Sequence, residues 1–435
     1  MLRTLLLLLM PAFYGQLAVS QKAFSIPINI NTQARSSYII TYDLTAEKPK
    51  DFMAVSLRLT GKNVQNAKIT YTLTTKDKTY TFVPHGHHTR LSQDTFISEM
   101  LYLEPLEVGV LHFQISSADS LLLSDNAEGF LRVFIPESSN TKNNDLIIGE
   151  SRQHLNCPCP KPTYIPRSNW GSSFQLDSDI YLEPPTYTNV THLIIHHSAG
   201  SNTSNNWKGI VASIFDFHVY TNGWQDIGYN WLIDPTGVLY EGRGGGENIR
   251  GAHMCGYNNN TMGVCLLGNY ESTEPTDEIM TTLRSLLAYK ACKESISADG
   301  SSNILSHTGH MHHISGHKEG CSPNYTECPG KFLFSKMERI RNETKNFIIT
   351  GCSELSKSDA SGSDFTSIYP VPADHYICHS TLDEVEIMDI QGQNITSRTK
   401  RLDSKCIDVS ILNKGLYLII LKNGNRRVVR KFLKI

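Results

Sequence analysis

Thr191-His-Leu-Ile-Ile-His-His-Ser-Ala-Gly200 couples a short apolar run to a polar end. Leu193, Ile194 and Ile195 are the run, and His196 and His197 close it. A short apolar run of this kind reads as a strand, Thr191 to His196. Successive strand side chains point to opposite faces. One of the two histidines therefore faces away from the other. A histidine at a strand end can be a hydrogen-bonded structural residue and nothing more, so the pair alone assigns no chemistry.

Outward from this strand the pattern alternates. Trp207, Ile210, Val211, Ile214, Phe215 and His218 recur at three- and four-residue steps, which predicts a helix over 207–220. Residues 228–233 and 238–241 predict a hairpin around Asp234-Pro-Thr-Gly237. Residues 261–267 and 314–316 read as further strands. Thr276 can cap a long helix whose apolar face is Ile279, Leu283, Leu286 and Leu287. A last helix is expected over 331–347. Strands interleaved with amphipathic helices predict an α/β domain, a mixed sheet with flanking helices, over residues 160–350.

Three residues in this span have the chemistry of a catalytic zinc site: His196, His317 and Cys328. Neutral imidazole and thiolate suit Zn2+, and three protein ligands leave a fourth position for water. Amide hydrolysis also needs groups that steady an oxyanion or move a proton. Tyr229 and Thr326 are the candidates. Spacing alone leaves the set open. His-x10-Cys is no zinc-finger pattern, residues 307–313 hold further histidines, and Cys321 lies in the same loop as a competing thiol.

Towards the N-terminus, residues 21–150 read as a β-rich accessory domain, with short runs of Tyr, Ile, Val, Thr and Phe between polar segments. His85-Gly-His-His88 reads as a solvated loop, because no Cys or carboxylate partner lies at ligand spacing. In Cys157-Pro-Cys-Pro-Lys-Pro162 the alternate prolines forbid helix, and the cysteines suit staples at a domain entrance. Towards the C-terminus, 351–367 reads as a polar linker, and 368–435 as a second β region, a β-sandwich, with a hairpin turn at Asn423-Gly-Asn425.

The whole chain has 435 residues, enough for several domains. A formal net charge of −2 offers no basic stripe for nucleic acid, so no nucleic-acid partner is expected. Arg3 followed by the run Leu5 to Met10 and by Ala18-Val-Ser20 reads as a signal peptide over 1–20. The mature protein is then secreted. Ten cysteines agree with an oxidising compartment. If Cys328 binds metal, at least one of the other nine is unpaired or joined to another chain.

Six segments now stand in order: 191–200, Asp226-Ile-Gly-Tyr-Asn230, Val238-Leu-Tyr-Glu-Gly-Arg-Gly244, Gly251-Ala-His253, Met262-Gly-Val264 with Gly268-Asn-Tyr270, and Gly316-His317 through Thr326-Glu-Cys-Pro-Gly330. This series resembles the peptidoglycan recognition proteins, the type-2 N-acetylmuramoyl-L-alanine amidases. The resemblance implies Zn2+ held by His196, His317 and Cys328, with Tyr229 and Thr326 catalytic, and peptidoglycan as substrate. It implies that His197 is not a ligand. It places Asn230, Arg243 and His253 in motifs that line the substrate groove. Non-catalytic members typically lack the cysteine, so Cys328 favours an enzyme that cleaves between the muramic acid lactyl group and L-alanine. The alternative is a non-catalytic, secreted peptidoglycan-binding protein. Two features depart from the family: residues 201–206 lack its usual cysteine pair, and the loop from His317 to Cys328 is about three residues longer.

The tail carries a second resemblance. Ile368-Tyr-Pro-Val-Pro-Ala373, Val385-Glu-Ile-Met-Asp-Ile-Gln-Gly392, Ile407-Asp-Val-Ser410 and Lys431-Phe-Leu-Lys434 resemble the C-terminal sorting domain of Bacteroidetes type IX secretion cargo. It implies that the secretion machinery is a partner through residues 368–435.

Overall fold

The computed structural model describes residues 22–30, 37–47, 49–62, 64–65, 68–84, 94–117, 127–137, 157, 159–174, 184–304, 310–321, 326–352, 368–369, 376–379, 384–389, 393–402, 406–423 and 426–434. The signal segment 1–20, the cluster His85-Gly-His-His88, the linker residues 353–367 and the turn at 424–425 lie outside the described residues. The chain divides into two compact units, up to Ile349 and from Thr350.

The first unit begins with nine strands. They are β1 (Lys22–Ile30), β2 (Ser37–Asp43), β3 (Met53–Thr60), β4 (Ile69–Thr74), β5 (Thr79–Thr81), β6 (Thr95–Ile97), β7 (Leu101–Leu103), β8 (Val110–Ser117) and β9 (Ala127–Ile135). One antiparallel sheet has the order β1-β9-β3-β6, with β7 also on β3; the other runs β2-β8-β4-β5. Alternate residues such as Leu57, Leu59, Leu73, Phe113, Ile115 and Leu131 form the core they share. The short β6 and β7 carry too few residues to show a period-two pattern in the sequence.

The α/β part follows. Its five-stranded sheet uses β10 (His192–His197), β11 (Trp231–Ile233), β12 (Leu239–Glu241), β13 (Thr261–Leu266) and, after the two-stranded pair β14 (Ser301–Asn303) and β15 (His310–His312), β16 (Ile314–Gly316). The order is β12-β11-β13-β10-β16. β10 runs parallel to both β13 and β16, and β11 is parallel to β13 but antiparallel to β12.

The helices are α1 (Arg167–Trp170), α2 (Trp207–Asp216), α3 (Asp277–Lys293), α4 (Lys331–Phe334) and α5 (Met337–Asn346). Leu193 and Ile195 of β10 pack with Leu283, Leu286 and Leu287 of α3 and Met337 and Ile340 of α5. Each such buried side chain contributes about 1.5–3 kcal/mol. The opposite face meets α2 through Leu232, Cys265, Ile210, Ile214 and Phe215, and this cluster also takes in Phe52, Ala54 and Phe134 from the N-terminal strands.

Caps explain where the helices start. Asn206 Oδ1 accepts from Gly209 N at 2.9 Å, and Thr276 Oγ1 accepts from Ile279 N at 3.3 Å. Two predicted helices differ in extent. The 207–220 helix leaves α geometry after Asp216 and continues as a π-helical turn, Phe217–Thr221. The 331–347 helix is broken between α4 and α5. Ser335 N bonds Lys331 O, but Lys336 N bonds Leu333 O, so the turn tightens to the three-residue pattern and ends there. Among the described residues no helix is long and apolar enough to cross a membrane.

The second unit carries β17 (Ile368–Tyr369), β18 (Tyr376–His379), β19 (Glu384–Met388), β20 (Lys400–Arg401), β21 (Cys406–Asp408), β22 (Gly415–Asn423) and β23 (Arg426–Lys434). They form sheets β17-β18-β21-β20 and β19-β22-β23. Ile377, Ile387, Ile407, Ile419, Leu421 and Phe432 share one core.

Candidate metal centre

The register of the sheet builds the site. β16 lies beside β10 with Ile195 opposite Gly316, so the next residues, His196 and His317, emerge side by side. Their ring centroids are 4.3 Å apart. The third residue arrives by backbone bonds: Lys318 N donates to Cys328 O at 2.9 Å, and His197 N donates to Cys328 Sγ at 3.4 Å. The donor atoms of His196, His317 and Cys328 all lie within 4.8 Å of one another, and all three residues are buried. Two imidazoles and a thiol are a donor set that can hold a transition-metal ion.

The strand separates the two neighbouring histidines as alternation requires. His196 Nδ1 is 3.6 Å from Cys328 Sγ. His197 turns to the other face, where its Nδ1 accepts from Tyr270 N at 3.1 Å. Burial holds His197 near 4, below the ordinary histidine value, so it stays neutral and keeps accepting. Burial also pushes the Cys328 thiol up to about 12, against the opposing hydrogen bond from the His197 backbone. A bound cation reverses that preference and makes the thiolate stable.

Tyr229 sits just before β11, its ring centroid 5.2 Å from that of His196. The strand expected over 228–233 is shorter in the structure, Trp231–Ile233, so Tyr229 precedes it, with Arg243 N donating to its carbonyl at 2.9 Å. Burial first, then the thiols of Cys265 and Cys328, raises its hydroxyl far above the usual value, so it remains a proton donor. Thr326 Oγ1 accepts from Cys328 N at 3.1 Å, which leaves its O–H free to donate elsewhere. Tyr229, Thr326 and Cys328 line one cleft of about 350 Å³.

Residues 186–331 match the family model described as N-acetylmuramoyl-L-alanine amidase, and residues 367–435 match the secretion system C-terminal sorting domain. Peptidoglycan-recognition protein SC2 of Drosophila melanogaster is 31% identical over 182 residues, 41% of this chain and 87% of the relative. The chain belongs to the peptidoglycan-recognition protein family. Peptidoglycan-recognition protein LE of Drosophila melanogaster is 29% identical over 46% of this chain, but that match spans only 52% of the relative's length. Among solved structures, the endolysin N-acetylmuramoyl-L-alanine amidase LysCS of Clostridium intestinale is 27% identical over 38% of this chain and 91% of its own, with a TM-score of 0.29.

The three residues expected at the groove have different surroundings. His253 is 5% exposed and stands behind His196, on the wall of neither main cleft: its Nδ1 is 3.0 Å from His196 Nε2. With the proton on Nε2, His196 donates to His253 and turns its Nδ1 lone pair towards Cys328. The ring can sit there because Gly263 has no side chain; a Cβ would come within 2.5 Å of His253 Cγ. Asn230 is also buried, and both ends of its amide serve the backbone, Nδ2 to Ile249 O and Oδ1 from Gly263 N, each at 2.8 Å. Arg243 does line a cleft, one of about 280 Å³ with Asp226, Arg250, Asn258 and Asn259.

The cysteines separate into bonded and free. Cys157 joins Cys292 and Cys255 joins Cys321. Cys159, Cys352 and Cys406 are also disulfide-bonded. Cys321 is therefore no competing thiolate. Among the described residues Cys328 and the buried Cys265 are the free thiols.

Proposed function

We propose that the chain is a secreted, zinc-dependent N-acetylmuramoyl-L-alanine amidase that hydrolyses the amide between the lactyl group of N-acetylmuramic acid and L-alanine. The observation that carries this reading is the buried cluster His196, His317 and Cys328, whose Cys328 lines a cleft together with Tyr229 and Thr326. His196, His317 and Cys328 would hold the ion, and His253 would fix the His196 tautomer. Zinc, when bound, supplies Lewis acidity and a lowered pKa for water. The chain supplies the rest. Tyr229, kept protonated by burial, and the free O–H of Thr326 donate to the oxygen that gains charge as the amide carbon becomes tetrahedral.

In this reading residues 1–20 are a signal peptide, 21–150 an all-β accessory domain, 160–350 the amidase domain, 351–367 a linker and 368–435 a β-sandwich that engages the type IX machinery. Mass spectrometry of digested muropeptides tests the activity. Products should begin at L-alanine, and a chelator should abolish them. Cys328→Ser should give no measurable cleavage, and Tyr229→Phe should lower kcat roughly 10²–10³-fold. Cuts between amino acids, or chelator-insensitive cleavage, refute the mechanism. Binding without any cleavage by the wild type makes the protein a receptor.

A further inference from the structure

The cleft that reaches Cys328 is not built by the α/β residues alone. Glu99 and Met100, between β6 and β7, and Tyr102, within β7, line it as well. That segment is held firmly. Ser98 is fully buried, its N donates to Leu57 O at 2.9 Å, and its Oγ accepts from Leu57 N at 2.9 Å. Glu99 N donates to Val83 O at 2.8 Å.

Tyr102 then joins the N-terminal strands to the metal-binding motif. Its ring meets Phe52 edge-on, with centroids 5.5 Å apart, and its hydroxyl lies 3.2 Å from Ser213 Oγ on α2. A Cβ on Gly200 would stand 3.3 Å from Tyr102 Cε2. The glycine that closes the histidine motif thus leaves room for a ring from the other part of the unit.

Glu99 has the opposite character. Its side chain is exposed at the cleft, and no side-chain partner holds it among the described residues. Although solvent reaches the side chain, the cleft wall partly desolvates the carboxyl and raises it above the ordinary range. No lysine or arginine among the described residues lines this cleft. A carboxylate left without a donor is stabilised by a ligand that brings one.

We propose that the segment Ser98–Tyr102 is an added wall of the substrate site: Glu99 and Met100 contact the substrate, Glu99 accepting from a hydrogen-bond donor, and Tyr102 positions the Ser198–Gly200 turn. The N-terminal strands are then a specificity element. The nature of the substrate rests on the amidase reading above. The donor is an amino group of the peptide or a hydroxyl of the glycan.

The test uses the full chain and soluble muropeptides, with their free amines intact or N-acetylated. Glu99→Gln should raise KM roughly three- to tenfold with kcat held within about twofold, as loss of a charge-assisted contact common to ground and transition states requires. A rise confined to the amine-bearing substrate assigns the amino group; an equal rise on both assigns a hydroxyl. Unchanged KM on both overturns the proposal. Met100→Ala should also raise KM. Tyr102→Ala should lower kcat/KM and Tyr102→Phe restore it; should the alanine variant not fold, Glu99→Gln and Met100→Ala carry the test, since neither side chain has a described hydrogen bond to lose. Binding of the same muropeptides to Cys328→Ser, with Glu99 or Gln at 99, separates the two readings. Absent wild-type cleavage refutes the amidase reading alone, whereas equal binding by both proteins refutes the wall.

Discussion

The α/β core is preceded and followed in sequence by strand-rich regions, and the two relate to hydrophobic burial differently. The C-terminal strands close on their own core, with Ile377, Ile387, Ile419 and Phe432 inside. The N-terminal strands have a core of their own too, yet they also give Phe52, Ala54 and Phe134 to the cluster around α2. Every residue of α2 from Gly209 to Asp216 is buried as a result. Polar contacts follow the same seam. Arg132 grips Asp216 with two bonds, of 2.9 and 2.6 Å. Asn206 Nδ2 donates to Asp51 Oδ2 at 2.9 Å, and Ser56 Oγ lies 2.8 Å from Thr221 Oγ1. One β region completes a neighbour's core and its cleft; the other forms a compact unit by itself. Similar strand content therefore says little about whether a region can be removed.

The most drastic way to break this comparison is truncation. A chain lacking residues 353–435 should stay folded and keep its cleavage rate. A chain lacking 21–137 should aggregate, because Ile210, Ile214 and Phe215 lose their cover. Soluble, active protein from the second truncation would show that the N-terminal strands are dispensable after all.

Acid should divide the units next. Burial holds both His192 and His197 near 4, against an ordinary value of 6.5. The unfolded chain binds those protons first, so stability is fully present above about 6.5 and is lost as the pH falls from there through about 4. The loss is on the order of 3 kcal/mol per histidine. Calorimetry between pH 7 and 4 should show the transition of the first unit moving down while that of the second holds. A first transition that does not move refutes the assignment.

The smallest effect isolates the seam. Burial raises the Asp216 carboxyl despite Arg132, so removing the arginine strands a desolvated acid. Arg132→Ala should destabilise the first unit by about 3–5 kcal/mol, and adding Asp216→Asn should recover part of it. Denaturant unfolding of the single and double variants measures both, and an unchanged midpoint for Arg132→Ala would detach the seam from stability.

Much of the α/β region is legible in its residues alone. The apolar run ending in His196 and His197, the Thr276 cap and the period of α3 are local, because helix and strand periods are written within ten to twenty residues. The family motifs carry His317, Cys328, Tyr229 and Thr326 into one site, and the register of β10 against β16 gives the meeting of the two histidines a physical cause. What the sequence could not hold was anything that depends on which surfaces meet. His253 reads as a groove residue from its motif and lies behind His196, because a glycine on β13, ten residues away, leaves space for its ring. Glu99, Met100 and Tyr102 carry no signal at all, since two three-residue strands show no pattern and their cleft-mates begin almost a hundred residues later. The sequence by itself determined most of the longer elements and singled out the residues proposed for the site. Only the tertiary structure decided its walls, because a wall is made where two separately written surfaces are buried together.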